Sequence, residues 1–341
     1  MSLFITSLNS GSNGNCYYVG NDNEAVLIDA GISCRETERR MQRLGLSMQK
    51  VKAVFISHEH IDHIRGVTVL SNKYQLPVYI TSDTLKHGGL QLKDHLVSPF
   101  SIQDPVNIGK LSVKAFAKEH DAAEPHSFTI TQEAVTVGVF TDIGVPCNNL
   151  VHHFRQCHAA FLEANYDEVM LEKGRYPVFL KNRIRGGKGH LSNTQALTLF
   201  TNCRPEFMSH LLLSHLSRDN NDPQLVQSLF DQHANGTQII VASRYQETAV
   251  YHVTGAPVER AEPVTLQVTS APVERSEPVT LQVTNAPVER VEPVTLQVTS
   301  APVEKSVPIA NRIKALPESK ANRSRRSASR NDGISQLELF H

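Results

Sequence analysis

Within the run Ser57-His58-Glu59-His60-Ile61-Asp62-His63, three imidazoles and an aspartate crowd into six consecutive positions, 58 to 63. Neutral imidazole nitrogens and carboxylate oxygens together suit a borderline divalent ion such as zinc, manganese or iron. His58 and His60 stand two apart, so on extended backbone their side chains point the same way. Asp62 and His63 continue round the turn and can face a second, nearby point. A solvated polar loop is the bland alternative and would suffice for a lone His-x-His; the full H-x-H-x-D-H pattern favours metal.

The elements that must position these groups are legible around them. Val51 to Ile56 is an apolar run that reads as a buried strand, and a helix-like segment begins near Ile64. Other chemistry-bearing residues also follow apolar runs. Ala25 to Ile28 ends in Asp29, Leu111 to Phe116 alternates and delivers Glu119-His120-Asp121, and Ala134 to Phe140 runs into Thr141-Asp142. Leu211-Leu212-Leu213-Ser214 leads into His215-Leu216-Ser217-Arg218-Asp219-Asn220-Asn221. His126 competes with His120 as a ligand by proximity, but follows a proline at the approach to the next strand, Phe128-Thr129-Ile130. His190 lies in Gly189-His190-Leu191-Ser192-Asn193, where Ser192 and Gln195 read as a capping box for a helix over Thr194 to Thr201.

Near the start, a strand over Leu3 to Leu8 is followed by Ser10-Gly11-Ser12-Asn13-Gly14-Asn15-Cys16. Its glycines permit close backbone approach, and its hydroxyls and amides can donate to a phosphate. A hairpin turn into Tyr17-Tyr18-Val19 is an equal alternative. Ser33 to Glu36 reads as a second capping box, opening a helix that Gly45 stops. Asp222-Pro223 opens a helix through Phe230, and Gln238 to Ala242 reads as the final buried strand. His87, His95, His152, His153 and His158 have no constellation around them and read as surface or packing residues.

The chain has 341 residues, enough for one domain of about 250 residues and an extension. Its formal net charge is zero, so overall charge does not select a partner. Fifteen of the sixteen histidines precede residue 256, which concentrates any metal chemistry there. Five cysteines without a C-x-x-C pair suggest reduced thiols and a cytoplasmic protein. The start, Met1-Ser2-Leu3-Phe4-Ile5, shows no signal-peptide pattern, and no apolar run reaches membrane-spanning length.

From Ala256 the composition changes. A-P-V-E-R-x-E-P-V-T-L-Q-V-T-x recurs at Ala256, Ala271 and Ala286 and begins again at Ala301. A stacked β-repeat is conceivable for such a period. Two prolines, two glutamates and no aromatic per unit leave too little to bury, so residues 256–335 read as an extended, disordered linker. Arg312 to Arg330 holds seven Lys/Arg and one Glu, a stretch suited equally to nucleic-acid phosphates or to plain solvation. The chain ends Gln336-Leu337-Glu338-Leu339-Phe340-His341, an apolar cluster with no core to join.

The H-x-H-x-D-H run after a hydrophobic strand resembles the metallo-β-lactamase superfamily of binuclear metallohydrolases. The S-G-S-N-G-N-C loop, H-D-A-A-E-P from His120, T-D-I-G from Thr141, G-H-L-S-N from Gly189 and H-L-S-R-D-N-N from His215 resemble its YycJ/WalJ-like nuclease branch. Glu163-Ala164-Asn165-Tyr166-Asp167 resembles a further segment, with Tyr166 where the branch usually has histidine. The resemblance covers residues 1–255 and implies an α/β fold, an αββα sandwich with the metals at one edge. It implies two divalent ions, zinc or manganese with iron as a further option. His58, His60 and His120 would hold one; Asp62, His63 and His215 would hold the other; Asp142 would bridge them. Asp29 would support the metal loop by hydrogen bonds. His190 and Asp62 are the candidate catalytic residues, His190 acting on the leaving oxygen; Ser12, Asn15, Ser217 and Asn220 are candidate substrate contacts.

The implied activity is phosphodiester hydrolysis, with a DNA exonuclease of mismatch repair as the leading expectation. An RNA-processing or small-phosphodiester hydrolase is the enzymatic alternative, and a non-catalytic adaptor is the third reading. Q-L-x-L-F resembles the peptide by which bacterial DNA-processing proteins dock on the replicative sliding clamp, so Gln336, Leu337, Leu339 and Phe340 are the expected partner-binding residues. Three buried side chains at roughly 1.5–3 kcal/mol each, less the ordering cost, suggest a dissociation constant on the order of micromolar. A tether of about 80 residues, with a span of about 50 Å, would compensate by raising the local concentration. Leu339→Ala with Phe340→Ala is expected to abolish retention on immobilised clamp while leaving hydrolysis of free DNA unchanged. Equal retention of both proteins would remove the clamp from the picture.

Overall fold

The computed structural model describes residues 2–255. The linker 256–335 and the peptide 336–340 lie outside the described residues. Strands β1 (Ser2–Asn9), β2 (Cys16–Gly20), β3 (Ala25–Ile28), β4 (Val51–Phe55), β5 (Val78–Tyr79) and β6 (Val97–Ser98) lie in one sheet. The other contains β7 (Val106–Ile108), β8 (Leu111–Ala117), β9 (His126–Gln132), β10 (Val135–Phe140), β11 (Ala159–Glu163), β12 (His210–Ser214) and β13 (Gln238–Val241). A late strand, β14 (Tyr251–Thr254), returns to the first sheet and pairs antiparallel with β1. The strand orders are β14-β1-β2-β3-β4-β5-β6 and β13-β12-β11-β10-β9-β8-β7.

Period-2 alternation explains why the sheets stack. Val26 and Ile28 of β3, Ala53 and Phe55 of β4, and Ala159 and Phe161 of β11 face a core between the sheets. Their neighbours Leu27, Val54, Ala160 and Leu162 face outwards into two further apolar layers. Strands apolar on both faces require cover on both sides. Helices α1 (Cys34–Arg43), α2 (Ile61–Ile64), α3 (Val67–Tyr74) and α4 (Ser82–His87) follow strands of the first sheet. Met41, Val67 and Leu70 supply the apolar cover there. Helices α5 (Asn148–Phe154), α6 (Glu168–Lys173), α7 (Val178–Ile184), α8 (Asn193–Cys203) and α9 (Pro223–Asp231) follow strands of the second. Phe154, Phe200, Val226 and Phe230 bury its outer face. The result is the αββα sandwich.

Each sheet changes from antiparallel to parallel pairing part-way across. In the first, β3, β4, β5 and β6 run parallel to one another; in the second, β10, β11, β12 and β13 do. Parallel strands finish at a common edge, where open α/β sheets bind ligands. Asp29, His58, Asp142, Glu163 and His215 all fall at such ends.

Several expectations change in detail. The helix expected near Ile64 is broken in two: α2 is a single turn, and Gly66 donates its N–H to the Ala30 carbonyl at 2.8 Å. A Cβ there would overlap the Ile32 carbonyl, so the chain must press flush against the β3–α1 loop before it can coil again. Gln238 to Ala242 is followed by β14 and is not the last strand. Ser33 caps α1, but Glu36 binds Arg39 and Arg40 and does not return to close a capping box. The box at Ser192 and Gln195 is complete. Among the described residues no helix is long and apolar enough to cross a membrane.

Candidate metal centre

The five strand ends deliver their side chains to one place. Asp29, Asp142 and His215 adopt left-handed backbone conformations, with φ of 61°, 56° and 57°. For a residue bearing a Cβ such geometry costs on the order of 1–3 kcal/mol and survives where surrounding contacts over-determine it. Those contacts are present: Asp29 donates its N–H to Phe55 at 2.8 Å, and His215 donates its N–H to the Ser10 hydroxyl at 2.7 Å. Lys118, buried behind the cluster, donates to the Thr141 carbonyl at 2.7 Å and so steadies the turn into Asp142.

Two triplets form. His58, His60 and His120 converge, with His58 Nε2 and His120 Nε2 at 3.0 and 3.3 Å from His60 Nδ1. Asp62, His63 and His215 form the other, where Asp62 Oδ2 is 3.6 Å from His63 Nε2 and 3.5 Å from His215 Nε2. The Asp142 carboxylate lies between them, 3.1 Å from His63 Nε2, 3.4 Å from His215 Nδ1 and 3.9 Å from His120 Nε2. His126 lies apart from both; its Nδ1–H is directed to the Glu124 carbonyl and its ring packs edge-on to Phe100. His153 stacks on Phe116, and His87 bonds within its own helix turn to the Asp83 carbonyl.

The donor set fits cations. Burial holds His58 and His60 below the usual imidazole range and pushes His120 down to about 3, so each ring keeps one lone-pair nitrogen able to bind a cation. The second triplet has the opposite character. Burial alone would lower the pKa of His63 and His215, yet the surrounding carboxylates raise His63 well above its ordinary value and push His215 up to about 10. Asp142, despite its burial, is held well below the carboxylate range by His215 and His63. Its Oδ2 and His215 Nε2 are buried without a hydrogen bond. Such concentrated buried anionic charge is stable only when paired.

Asp29 has the supporting position expected of it. Its Oδ1 accepts from Ser57 N–H at 2.8 Å, and its Oδ2 lies 2.8 Å from Ser57 Oγ and 2.7 Å from His63 Nδ1. Holding His63 by Nδ1 turns its Nε2 towards the cluster. Glu163 does the same for two histidines and was given no role from sequence. Its Oε1 accepts from His190 Nδ1 and His215 Nδ1, each at 2.8 Å, while its Oε2 accepts from Ile143 N–H at 2.8 Å and Leu191 N–H at 3.1 Å. Against the burial penalty, these histidines hold its carboxyl down to about 2. The available signal was an acid closing an apolar strand, the same one that marked Asp29 and Asp142. His190, so held, keeps 22% of its side chain exposed, and its ring centroid is 5.4 Å from that of His120.

Of the candidate substrate contacts, Ser12 is exposed and Ser217 half-buried. Asn15 and Asn220 are buried. The Asn15 amide lies 3.1 Å from both Asp62 Oδ2 and His63 Nε2, and Asn220 N–H closes on the Ser217 hydroxyl at 3.2 Å. Both hold the ligand loops. Asn15, Gly31 and Asp62 meet backbone to backbone, and a Cβ on Gly31 would overlap the Asp62 carbonyl.

Comparisons with known proteins agree with this geometry. A family model described as a beta-lactamase superfamily domain matches residues 24–216. The chain is 34% identical over 237 residues to exodeoxyribonuclease YycJ of Bacillus anthracis, covering 68% of this chain and 89% of that protein. It is 28% identical over 225 residues to exodeoxyribonuclease WalJ of Streptococcus pneumoniae, covering 64% of this chain and 83% of that protein. The metallo-β-lactamase fold protein YhfI from Bacillus subtilis superposes with a TM-score of 0.58 at 17% identity, covering 74% of this chain and all of that one. The chain belongs to the metallo-β-lactamase superfamily, within its YycJ/WalJ-like branch. It is a metal-dependent hydrolase.

Glu163→Gln puts an amide N–H where a carboxylate oxygen now accepts from two donors. The variant is expected to lose about 1–3 kcal/mol of unfolding free energy, the cost of unsatisfied buried donors. Denaturant titration of metal-depleted protein measures this directly, and an unchanged midpoint would mean that Glu163 holds neither histidine.

Proposed function

We propose that the chain is a binuclear metal-dependent DNA nuclease, an exonuclease of mismatch repair tethered to the sliding clamp by Gln336, Leu337, Leu339 and Phe340. The observation that carries the catalytic part is the pair of ligand triplets with Asp142 between them. His58, His60 and His120 would hold one divalent ion, zinc or manganese, and Asp62, His63 and His215 the other. Bound there, two ions supply a lowered water pKa and charge stabilisation for a phosphodiester oxygen. The names of the YycJ and WalJ relatives favour DNA as the substrate.

The protein's own groups divide the remaining work. Glu163 orients His190 through Nδ1, which leaves His190 Nε2 to hold or deliver a proton at the departing oxygen. Asp62 is held by Asn15 and is partly reachable, with 15% of its side chain exposed, so it borders the water that attacks. Ser12 and Ser217 hydroxyls at the mouth suit donation to phosphate oxygens.

Linear duplex DNA, single-stranded DNA and RNA should be assayed side by side with added manganese or zinc. DNA hydrolysis is expected. His190→Ala should lose roughly 10²–10⁴ in turnover with its metal retained, the range for a general acid. Asp142→Ala should abolish hydrolysis and lower the metal content found by elemental analysis. Preferential cleavage of RNA would overturn the DNA assignment, and an active Asp142→Ala protein with full metal content would overturn the site.

A further inference from the structure

Between Glu163 and His190 the chain makes an excursion that the metal centre does not use. Its feet stand on both ligand loops. Arg183 Nε pairs with Asp121 Oδ2 at 2.5 Å, beside His120, and Tyr176 donates its hydroxyl to Asp219 Oδ2 at 3.1 Å, on the loop after His215. At its end, His190 N–H donates to the Ile184 carbonyl at 2.8 Å, so the last turn of α7 is joined directly to the candidate general acid. No residue of α7 is buried. Val178 is 69% exposed and Phe179 72% exposed, and neither belongs to any apolar cluster of the core.

Charge supplies the second observation. Residues 167–189 carry six Lys/Arg against three Asp/Glu. Lys173, Arg175 and Lys188 are exposed, and among the described residues none of the three has an ion-pair partner. Two exposed apolar side chains near free cations, on an excursion joined to a hydrolytic centre, suit a ligand with both phosphates and flat apolar faces. Five residues of helix separate Phe179 from Ile184, an axial distance of about 8 Å.

Resting on the DNA reading above, we infer that Val178 and Phe179, flanked by Lys173, Arg175 and Lys188, form a platform for a single DNA strand. Its bases stack there beside the phosphodiester in the metal centre. Every base has a π-face, so such a platform grips without reading sequence. The flanking cations follow the backbone and make the grip salt-dependent. The enzyme is thereby biased towards single-stranded or frayed ends, whose bases are free to stack.

The test compares full-length wild-type, Phe179→Ala and Phe179→Tyr proteins by fluorescence anisotropy with a labelled single strand, and by KM and kcat on single-stranded and duplex DNA. Phe179→Ala is expected to weaken binding and raise KM for the single strand about 5- to 100-fold, the range of one base–aromatic stack. Its kcat, bound metal and unfolding midpoint should stay as in wild type, and Phe179→Tyr should restore affinity. Unchanged affinity and KM in Phe179→Ala would overturn the platform. A wild-type dimer that Phe179→Ala converts to monomer, with KM unchanged, would assign the patch to a second copy and equally overturn it. If wild type cuts no DNA, the nuclease reading fails; the anisotropy comparison, which requires no cleavage, still decides the platform.

Discussion

The Asp142 carboxylate stands between two groups of histidines, and most of the structure serves the charge problem this creates. Asp29, Asp62, Asp142 and Glu163 gather at one edge of the sandwich, three of them almost wholly out of water. Desolvated carboxylates of this kind must be paired with positive charge or take up protons. Partial answers come from His63, His215 and Lys118, whose fields reach the same carboxylates. The neutral triplet of His58, His60 and His120 supplies lone pairs in place of charge. Together the two halves make a socket for cations, one rich in nitrogen donors and the other in negative charge.

Holding such a socket demands rigidity from the backbone around it. Three of its residues, Asp29, Asp142 and His215, sit in left-handed conformations just after a strand. Gly31 and Gly66 permit the loop after β3 to touch the histidine loop directly; at each, a Cβ would meet a carbonyl. The supporting carboxylates then set the histidine rings. Asp29 and Glu163 each use one oxygen on a ring Nδ1, which decides that Nε2 faces inwards. Stability and function are therefore coupled at these positions, since the same bonds that satisfy buried polar groups aim the ligands.

The division between the sheets has a functional consequence. The first sheet supplies Asp29 and the whole H-x-H-x-D-H loop, while the second supplies His120, Asp142, Glu163 and His215. Neither the His58–His60–His120 triplet nor the Asp62–His63–His215 triplet comes from one sheet alone, so both depend on the inter-sheet core around Phe55, Phe128 and Phe161. The excursion carrying α7 is built on the second sheet alone and leans on two of its ligand loops. Its apolar tip stays outside the core.

The sequence alone determined much of the centre, because metal chemistry leaves short-range marks. His58 to His63 lie within six residues, and their spacing on a strand end and turn already implied two ligand points. Asp29, His120, Asp142 and His215 each close or follow an apolar strand, and the family resemblance of these motifs implied the αββα sandwich. The tertiary structure decided what depends on partners far along the chain. Glu163 became a clamp because β11 and β12 are parallel neighbours, which brings His215 to its carboxylate, while the return of the chain after α7 brings His190 to the same oxygen. The burial of Asn15 and Asn220 is a property of the assembled loops and not of residue type. The break before Gly66, the closing strand β14 and the exposure of Phe179 have the same origin. Each follows from which backbone passes alongside, and sheet order, which local spacing does not encode, settles that.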